Sequence, residues 1–412
     1  MTIVHLVSGG PRSGKSFTLI KRQSRPELPL DGILVLDFSQ FLAGPVAAMR
    51  LADLGARVIK IERPGSGDIG RTLAFAGLES DGDTLSFHIM NRNKESFAAD
   101  LKSESDKSEV WELIKQADVI VQNFRPGVIE RLGFGYEEVR KVNPRIIYAS
   151  ASGYGSSGPW KDRPGQDLLA QSISGFPWLN GSKDMPPVPV GIAVADIFTS
   201  VHIAHGVTAL LLRRERTGVG GLVETSLIES MLDLQFELLS AHSFDEKVLV
   251  NRGAKNSAHA FLPAPYGLYE TNNGYLAIAM NPIPRLGELL GLDFITYQDP
   301  QSWWSHQDDI MATLTEKLRT GSTEHWLEIL DTADIWCAPV LTLTELVEHD
   351  GFQELDMLQV TTRHSKSGSE EILIPTTRSP LRIDGRTLKS SKGAPHVGED
   401  NDLIRAELLK GE

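Results

Sequence analysis

Two glycine-rich stretches, one histidine pair and a series of cations are the features of this chain whose residue types and spacing could do chemistry. Gly9-Gly10-Pro11-Arg12-Ser13-Gly14-Lys15-Ser16 fits GxxxxGK[ST], a loop whose amides cradle phosphate, and the apolar run IVHLV stands before it. A working phosphate loop must lead into a helix that docks on a sheet, yet Pro26, Pro29 and Gly32 break the chain after about two turns. Residues 1–27 therefore read as an N-terminal extension, with nucleotide binding through Lys15 kept as a rival. Gly153-Tyr154-Gly155-Ser156-Ser157-Gly158 satisfies GxGxxG, but Pro159, Asp162, Arg163 and Pro164 follow where a dinucleotide fingerprint needs a helix, so a loop over a pocket is expected. His202 and His205 share a helical face without a third ligand, and Cys337 lies in an apolar run without a base; no metal and no thiol chemistry are expected.

The cations follow apolar runs. Lys60 and Arg63 end VIKIE, Arg92 and Lys94 follow an expected helix, and Arg125 and Arg131 follow DVIVQ. In a chain of net charge −13 such placement suits a phosphorylated small ligand, while the overall charge argues against nucleic acid. In the turn Phe38 to Pro45, Ala43 and Gly44 allow a ligand close to the backbone and Pro45 suits a first helical turn.

Positioning these groups requires a sheet. The runs ILVLDF (33–38), VIKIE (58–62), DVIVQ (118–122) and RIIYAS (145–150) alternate with amphipathic segments such as 105–117 and 134–142, which is α/β organisation with a buried parallel sheet. After Pro159 the sheet is expected to stop, and helical periodicity takes over at 166–176, at 196–214 from an Asp196 N-cap, and at 223–242. From about 245 to 330 the pattern reads as a smaller α+β unit with a hairpin turn at Asn272-Asn273-Gly274. The expected division is 1–27 extension, 28–225 large domain, 226–330 linker helix and small domain, and 331–412 a segment returning to the large domain.

With 41% hydrophobic and 23% charged residues the composition is that of a soluble globular protein, and 412 residues suffice for a full core. One cysteine excludes an intramolecular disulfide and suits a reducing cytoplasm. No run of about 20 apolar residues stands out, so no membrane is expected.

The ordered set LDFSQFLAGP, ADLGARVIKIERPGSGD, NRNK, ADVIVQNFRPGVIERLGFGYEEV, NPRIIYASASGYGSSGP, RPGQDLLAQSISG, PPVPVGIAVAD and RRERTGVGGLVETSLIESML resembles the class III coenzyme A-transferase family (CaiB/BaiF type). The resemblance implies a Rossmann-like large domain formed by both chain ends, a smaller domain between, and an interlocked homodimer. It also implies coenzyme A thioesters as substrates rather than a tightly bound cofactor, exchanged with a free carboxylic acid. Matching coenzyme A positions are Phe41, Ala43, Arg63, Lys94, Asn123, Phe124 and Arg131. The family's nucleophilic Asp, in a short loop before a Pro-Pro pair, falls on Asp184, with Asp167 as runner-up. Attack by a carboxylate on a thioester gives a mixed anhydride, then an aspartyl-CoA thioester. Racemases of the family pair an Asp with histidines, but here Gln166 and Arg140-Lys141-Val142 occupy those positions, so inversion of a 2-methylacyl-CoA is the weaker reading. Leu42 and the segment Arg252 to His259 depart from the formyl-CoA transferase pattern, which points away from oxalate and formate. Gln40, Arg252, Lys255 and His259 are the substrate-side candidates, with a dicarboxylate such as succinate as the expected acid.

Overall fold

The computed structural model describes residues 28–73, 75–245, 252, 253, 255 and 257–409. The Gly9–Ser16 segment lies outside the described residues. Six parallel strands form the main sheet: β1 (Leu34–Asp37), β2 (Arg57–Glu62), β3 (Lys94–Ala98), β4 (Val119–Gln122), β5 (Ile147–Ser152) and β6 (Gly221–Ser226), in the order β3-β2-β1-β4-β5-β6. This doubly wound order reverses between β1 and β4, and such sheets open a ligand crevice at the carboxyl ends of the two strands flanking the reversal.

Alternation along the central strands sends side chains to two cores. On one face Val35, Val58, Val119, Val121 and Ile147 meet α1 (Ala43–Asp53) and the long helix α5 (Val194–Thr217), through Ala47, Ala48, Leu51, Ile203, Val207 and Leu211. On the other, Leu36, Ile59, Phe97, Ile120 and Tyr148 meet Val110, Leu113 and Ile114 of α2 (Glu104–Gln116). Helix α3 (Tyr136–Val142) packs Val139 into that second core. Since both faces are covered, the central strands read as continuous apolar runs, which is why four were visible in the sequence.

The other two strands correct the sequence reading. β3 is Lys-Glu-Ser-Phe-Ala, and its polar residues are buried because each has a partner: Lys94 meets Asp37, Glu95 meets Arg57, and Ser96 donates to Glu62. β6 lies where a helix over 223–242 was expected, so the sheet does grow past Pro159. As an edge strand it carries the exposed Leu222 and Glu224, and helices Leu227–Leu234 and Phe236–Phe244 begin only after it.

A separate antiparallel sheet contains β7 (Gly267–Glu270), β8 (Tyr275–Ile278) and β9 (Cys337–Pro339), with the expected hairpin turn between β7 and β8. Cys337 was expected in a segment returning to the large domain, but it pairs with Ile278 in the small antiparallel sheet. The return comes later, in the hairpin β10 (Leu358–His364) and β11 (Glu371–Thr377) and the final helical turns. Ser96 and Ala98 on the outer edge of β3 donate to Asp400 and Asn401, both at 2.8 Å, and Ile404 enters the core, so the C-terminal segment closes an edge that would otherwise be open. Arg363 on β10 pairs with Asp81 at 2.9 Å and Asp83 at 2.8 Å, fastening the hairpin to the loop after β2.

Helix α5 also corrects the expectation about apolar runs, because it is long and apolar enough to cross a membrane. Its apolar stripe instead faces the sheet and α1.

Beneath the carboxyl end of β1 four charges alternate. Lys94 Nζ lies 2.7 Å from Asp37 Oδ2, Lys60 Nζ lies 3.9 Å from the same oxygen, and Lys60 Nζ lies 2.7 Å from Asp68 Oδ2. All four residues are buried. Asp37→Ala would leave two ammonium groups without their shared counter-charge and is expected to destabilise the protein by about 3–5 kcal/mol, read as a lower urea midpoint at unchanged slope.

Candidate active site

The turn after β1 is held from three directions. Lys60 Nζ donates to the Ser39 carbonyl at 2.8 Å, while the Asn123 side chain, just past β4, accepts from the Gln40 amide at 2.8 Å and donates to the Gln40 carbonyl at 2.7 Å. Asp68 accepts from the Phe41 amide at 3.4 Å. These contacts hold Phe41 at φ 66°, a left-handed conformation unusual for a bulky residue, with its ring half exposed. Gly44 is required next: a Cβ there would stand 2.2 Å from the Ser39 Cβ.

The same turn brings the α1 start against a pair of carboxylates. Helix α4 (Asp167–Ile173) begins where Gly153 and Gly165 cross so closely that a Cβ on Gly153 would lie 2.5 Å from the Gly165 Cα. Asp167, in the first turn of α4, does not cap its own helix. Its Oδ1 accepts from the amides of Ala195 at 2.7 Å and Asp196 at 3.1 Å, which caps α5 across space, and its Oδ2 accepts from Gln171 at 2.6 Å. Asp196 is half-buried beside it, facing the Ala43 amide. Burial, reinforced by the Asp167 charge and opposed by that amide, raises the Asp196 carboxyl to about 7. The sequence showed Asp196 only as an N-cap. Its position in Ala-Val-Ala-Asp shortly after Pro186-Pro187 carried no signal by itself; the signal is the meeting of the α4 and α5 starts with the first βα turn.

A carboxylate so placed, at the reversal of strand order and basic for its type, can act as a nucleophile or exchange a proton. Asp184 differs. It sits exposed in a turn, and its carboxylate has no hydrogen-bond partner among the described residues. Its neighbours belong to the small unit's surroundings: Lys183 pairs with Asp308 at 2.8 Å, and Arg252 donates to the carbonyls of Asn180 at 2.9 Å, Pro186 at 3.0 Å and Met185. Arg252 also lies over the Trp178 ring at 5.3 Å, so it clamps the loop instead of presenting an unpaired guanidinium. Lys183, Arg252, Phe261, Trp304 and Gln307 border an open cavity of about 810 Å³ on this side.

Among the coenzyme A candidates, Phe41, Ala43, Asn123 and Phe124 come together at the β1/β4 crevice, and exposed Arg63 and Arg131 follow β2 and β4 at the same carboxyl edge. Lys94 must be withdrawn from that set. Its Nζ is fully buried and donates to Asp37 at 2.7 Å, the Pro45 carbonyl at 2.8 Å and Asn91 at 2.9 Å, which uses all three protons. Burial lowers its ammonium to about 8 despite Asp37. His259 accepts from the Phe261 amide at 3.1 Å and lies 3.5 Å from Glu237, while Lys255 is exposed. His202 bonds Ser230 at 2.9 Å and Asp233 at 3.1 Å, His205 is exposed, and no metal-holding cluster occurs among the described residues. Burial pushes the Cys337 thiol up to about 12, helped by Asp331, which leaves it unreactive. No helix opens within Gly153–Gly158, consistent with a loop.

The profile of CoA-transferase family III matches residues 30–401. The chain belongs to that family. Acetyl-CoA:oxalate CoA-transferase of Acetobacter aceti is 32% identical over 400 residues, covering 94% of this chain and 98% of the relative. Succinyl-CoA:glutarate CoA-transferase of Mus musculus is 31% identical, covering 93% and 87%. The crystal structure of a CAIB/BAIF family protein from Brucella suis superposes with a TM-score of 0.78 at 30% identity, covering 92% of this chain and 99% of that one. This family III enzyme is a CoA-transferase, and its α/β fold is that of its structural relatives.

The raised Asp196 carboxyl has a stability consequence with a definite sign. Between the ordinary carboxylate value of 3.8 and about 7 the folded chain holds a proton that the unfolded chain has released, so this group's contribution falls as pH rises through that window. Asp196→Asn is therefore expected to raise the melting temperature relative to wild type at pH 8 and to have less effect at pH 4; equal effects at both would refute the assignment.

Proposed function

We propose that this CoA-transferase moves coenzyme A from an acyl-CoA to a dicarboxylic acid through Asp196. The observation that carries the choice is the placement of the Asp196 carboxylate against the Ala43 turn at the crevice, with a basicity raised by burial and by Asp167. Its oxygen attacks the thioester carbonyl carbon, the C–S bond breaks, and coenzyme A leaves as thiolate, giving a mixed anhydride. The thiolate then attacks the aspartyl carbonyl and releases the donor acid as carboxylate. The resulting aspartyl-CoA thioester is opened by the acceptor carboxylate, and return of the thiolate to the new acyl carbon frees Asp196. Every step exchanges one nucleophile for another, so no net proton is needed.

Phe41, Ala43, Asn123 and Phe124 would line the coenzyme A, with Arg63 and Arg131 supplying charge for its phosphates. The acids named for the relatives, oxalate and glutarate, support a dicarboxylate, and exposed Lys255 is the group in the Arg252 to His259 segment best able to meet its distal carboxylate. A cytoplasmic enzyme fits this chemistry.

Intact-protein mass spectrometry after incubation with succinyl-CoA and hydroxylamine trapping tests the nucleophile. Wild type and Asp184→Ala are expected to carry the adduct and Asp196→Asn to lack it; the opposite pattern would return the role to Asp184. Since Asp196 must be ionised to attack, kcat/KM for succinyl-CoA is expected to rise with pH through an inflection near 7.

The working assembly in this proposal is a homodimer. Helix Phe236–Phe244 has no buried residue and exposes Phe236, Leu239 and Phe244, the last almost completely. The hairpin exposes Leu358, Val360 and Leu373, and Leu343 is largely bare. Apolar surface of this extent calls for a cover, which a second copy would supply. Light scattering is expected to give the mass of two chains, and a monomer at micromolar concentration would overturn the assembly.

A further inference from the structure

We infer that Gln171 is a positioning residue that holds the Asp167 carboxylate against the start of α5, where its charge bears on Asp196. The inference rests on the reading of Asp196 as nucleophile and adds what sets its protonation.

Gln171 lies one turn along α4 from Asp167, is buried, and has both ends of its amide committed. Its Nε2 donates to Asp167 Oδ2 at 2.6 Å and to the Ile192 carbonyl at 3.3 Å, and its Oε1 accepts from the Val190 amide at 3.0 Å. The orientation is therefore fixed by the Val190–Ile192 strap: the oxygen must face Val190, so the nitrogen must face Asp167. That donated N–H anchors Asp167 Oδ2 in place. With the amides of Ala195 and Asp196 on Oδ1, Asp167 accepts three N–H donors, whereas Asp196 faces the single amide of Ala43.

Other charged groups on the packed elements are engaged elsewhere. Arg50 of α1 donates to Ser200, Arg92 pairs with Asp53 at 2.6 Å, His202 of α5 meets Ser230 and Asp233, and Glu229 accepts from Ser226. On the loop leading to α5, Lys183 pairs with Asp308, and exposed Asp184 is its neighbour. Gln171 and the two α5 amides thus fix where the Asp167 carboxylate sits relative to Asp196. The same strap runs directly into α5, so Gln171 also ties the acid-bearing start of α4 to the backbone that carries Asp196.

The test compares full-length wild type with Gln171→Met, which keeps the length but removes donor and acceptor, and with Asp167→Asn, which removes the charge. The probe is succinyl-CoA with glutarate as acceptor, and folding is checked by circular dichroism. For both variants the inflection in kcat/KM against pH is expected to fall by about one unit, and kcat at pH 8 to fall about threefold or more as Asp196 becomes less basic, with the succinyl-CoA KM within about twofold. A merely structural role would lower the active fraction without moving the inflection, and that result overturns the proposal. A shift in Asp167→Asn without one in Gln171→Met overturns it as well, since Asp167 would then hold its place unaided. Adduct formation in Asp196→Asn separates the two readings: if that variant still traps the acyl group, the nucleophile assignment fails whatever Gln171 does.

Discussion

The chain of buried charges from Lys94 through Asp37 and Lys60 to Asp68 is the constraint on which the site depends. Ammonium and carboxylate groups removed from water are tolerated only when each meets its opposite at close range with its remaining protons and lone pairs bonded. Here those remaining bonds go to the backbone of the turn after β1: Lys60 to the Ser39 carbonyl, Lys94 to the Pro45 carbonyl, and Asp37 to the Ser39 amide at 3.0 Å. Burial alone would raise the Asp37 carboxyl, yet Lys94 and Lys60 hold it below the ordinary carboxylate range. The turn therefore has little freedom, and Phe41 can stay at positive φ in the open crevice because both neighbouring segments are fixed.

The carboxylate pair depends on that rigidity. Ala43 starts α1, Asp196 lies in the first turn of α5 and Asp167 starts α4, so three helix beginnings converge on one point. Unpaired amides at helix starts favour negative charge, and here two carboxylates compete for them. Asp167 takes the α5 amides. Burial, reinforced by the Asp167 charge, raises the Asp196 carboxyl. Two identical side chains thus meet unequal sets of donors, a difference that neither residue's local sequence displays.

Much of the fold was legible because burial on both faces writes itself into composition. The strands around Leu36, Ile59, Ile120 and Ile147 could be read directly, as could the hairpin at Asn273-Gly274. β3 was hidden because its buried residues are charged and neutralised by partners far along the chain, and β6 because an edge strand need not be apolar. Cys337 misled for a similar reason: a short apolar run announces burial without saying in which sheet. The first βα turn and the arginines at the carboxyl edge were legible, while Lys94 looked the same as those arginines until its surroundings were known. Asp184 had a suggestive place before two prolines, but proximity in sequence says nothing about which carboxylate the folded chain carries to the crevice.

The sequence by itself determined the α/β class, the family with its transferase chemistry, and the turn against which a ligand would lie, because these depend on periodicity and on ordered local motifs. Only the tertiary structure decided which cations are buried struts and which are exposed, and which aspartate meets the Ala43 turn. Those outcomes depend on desolvation and on hydrogen-bond partners brought together from distant parts of the chain, and neither quantity exists until the chain has folded.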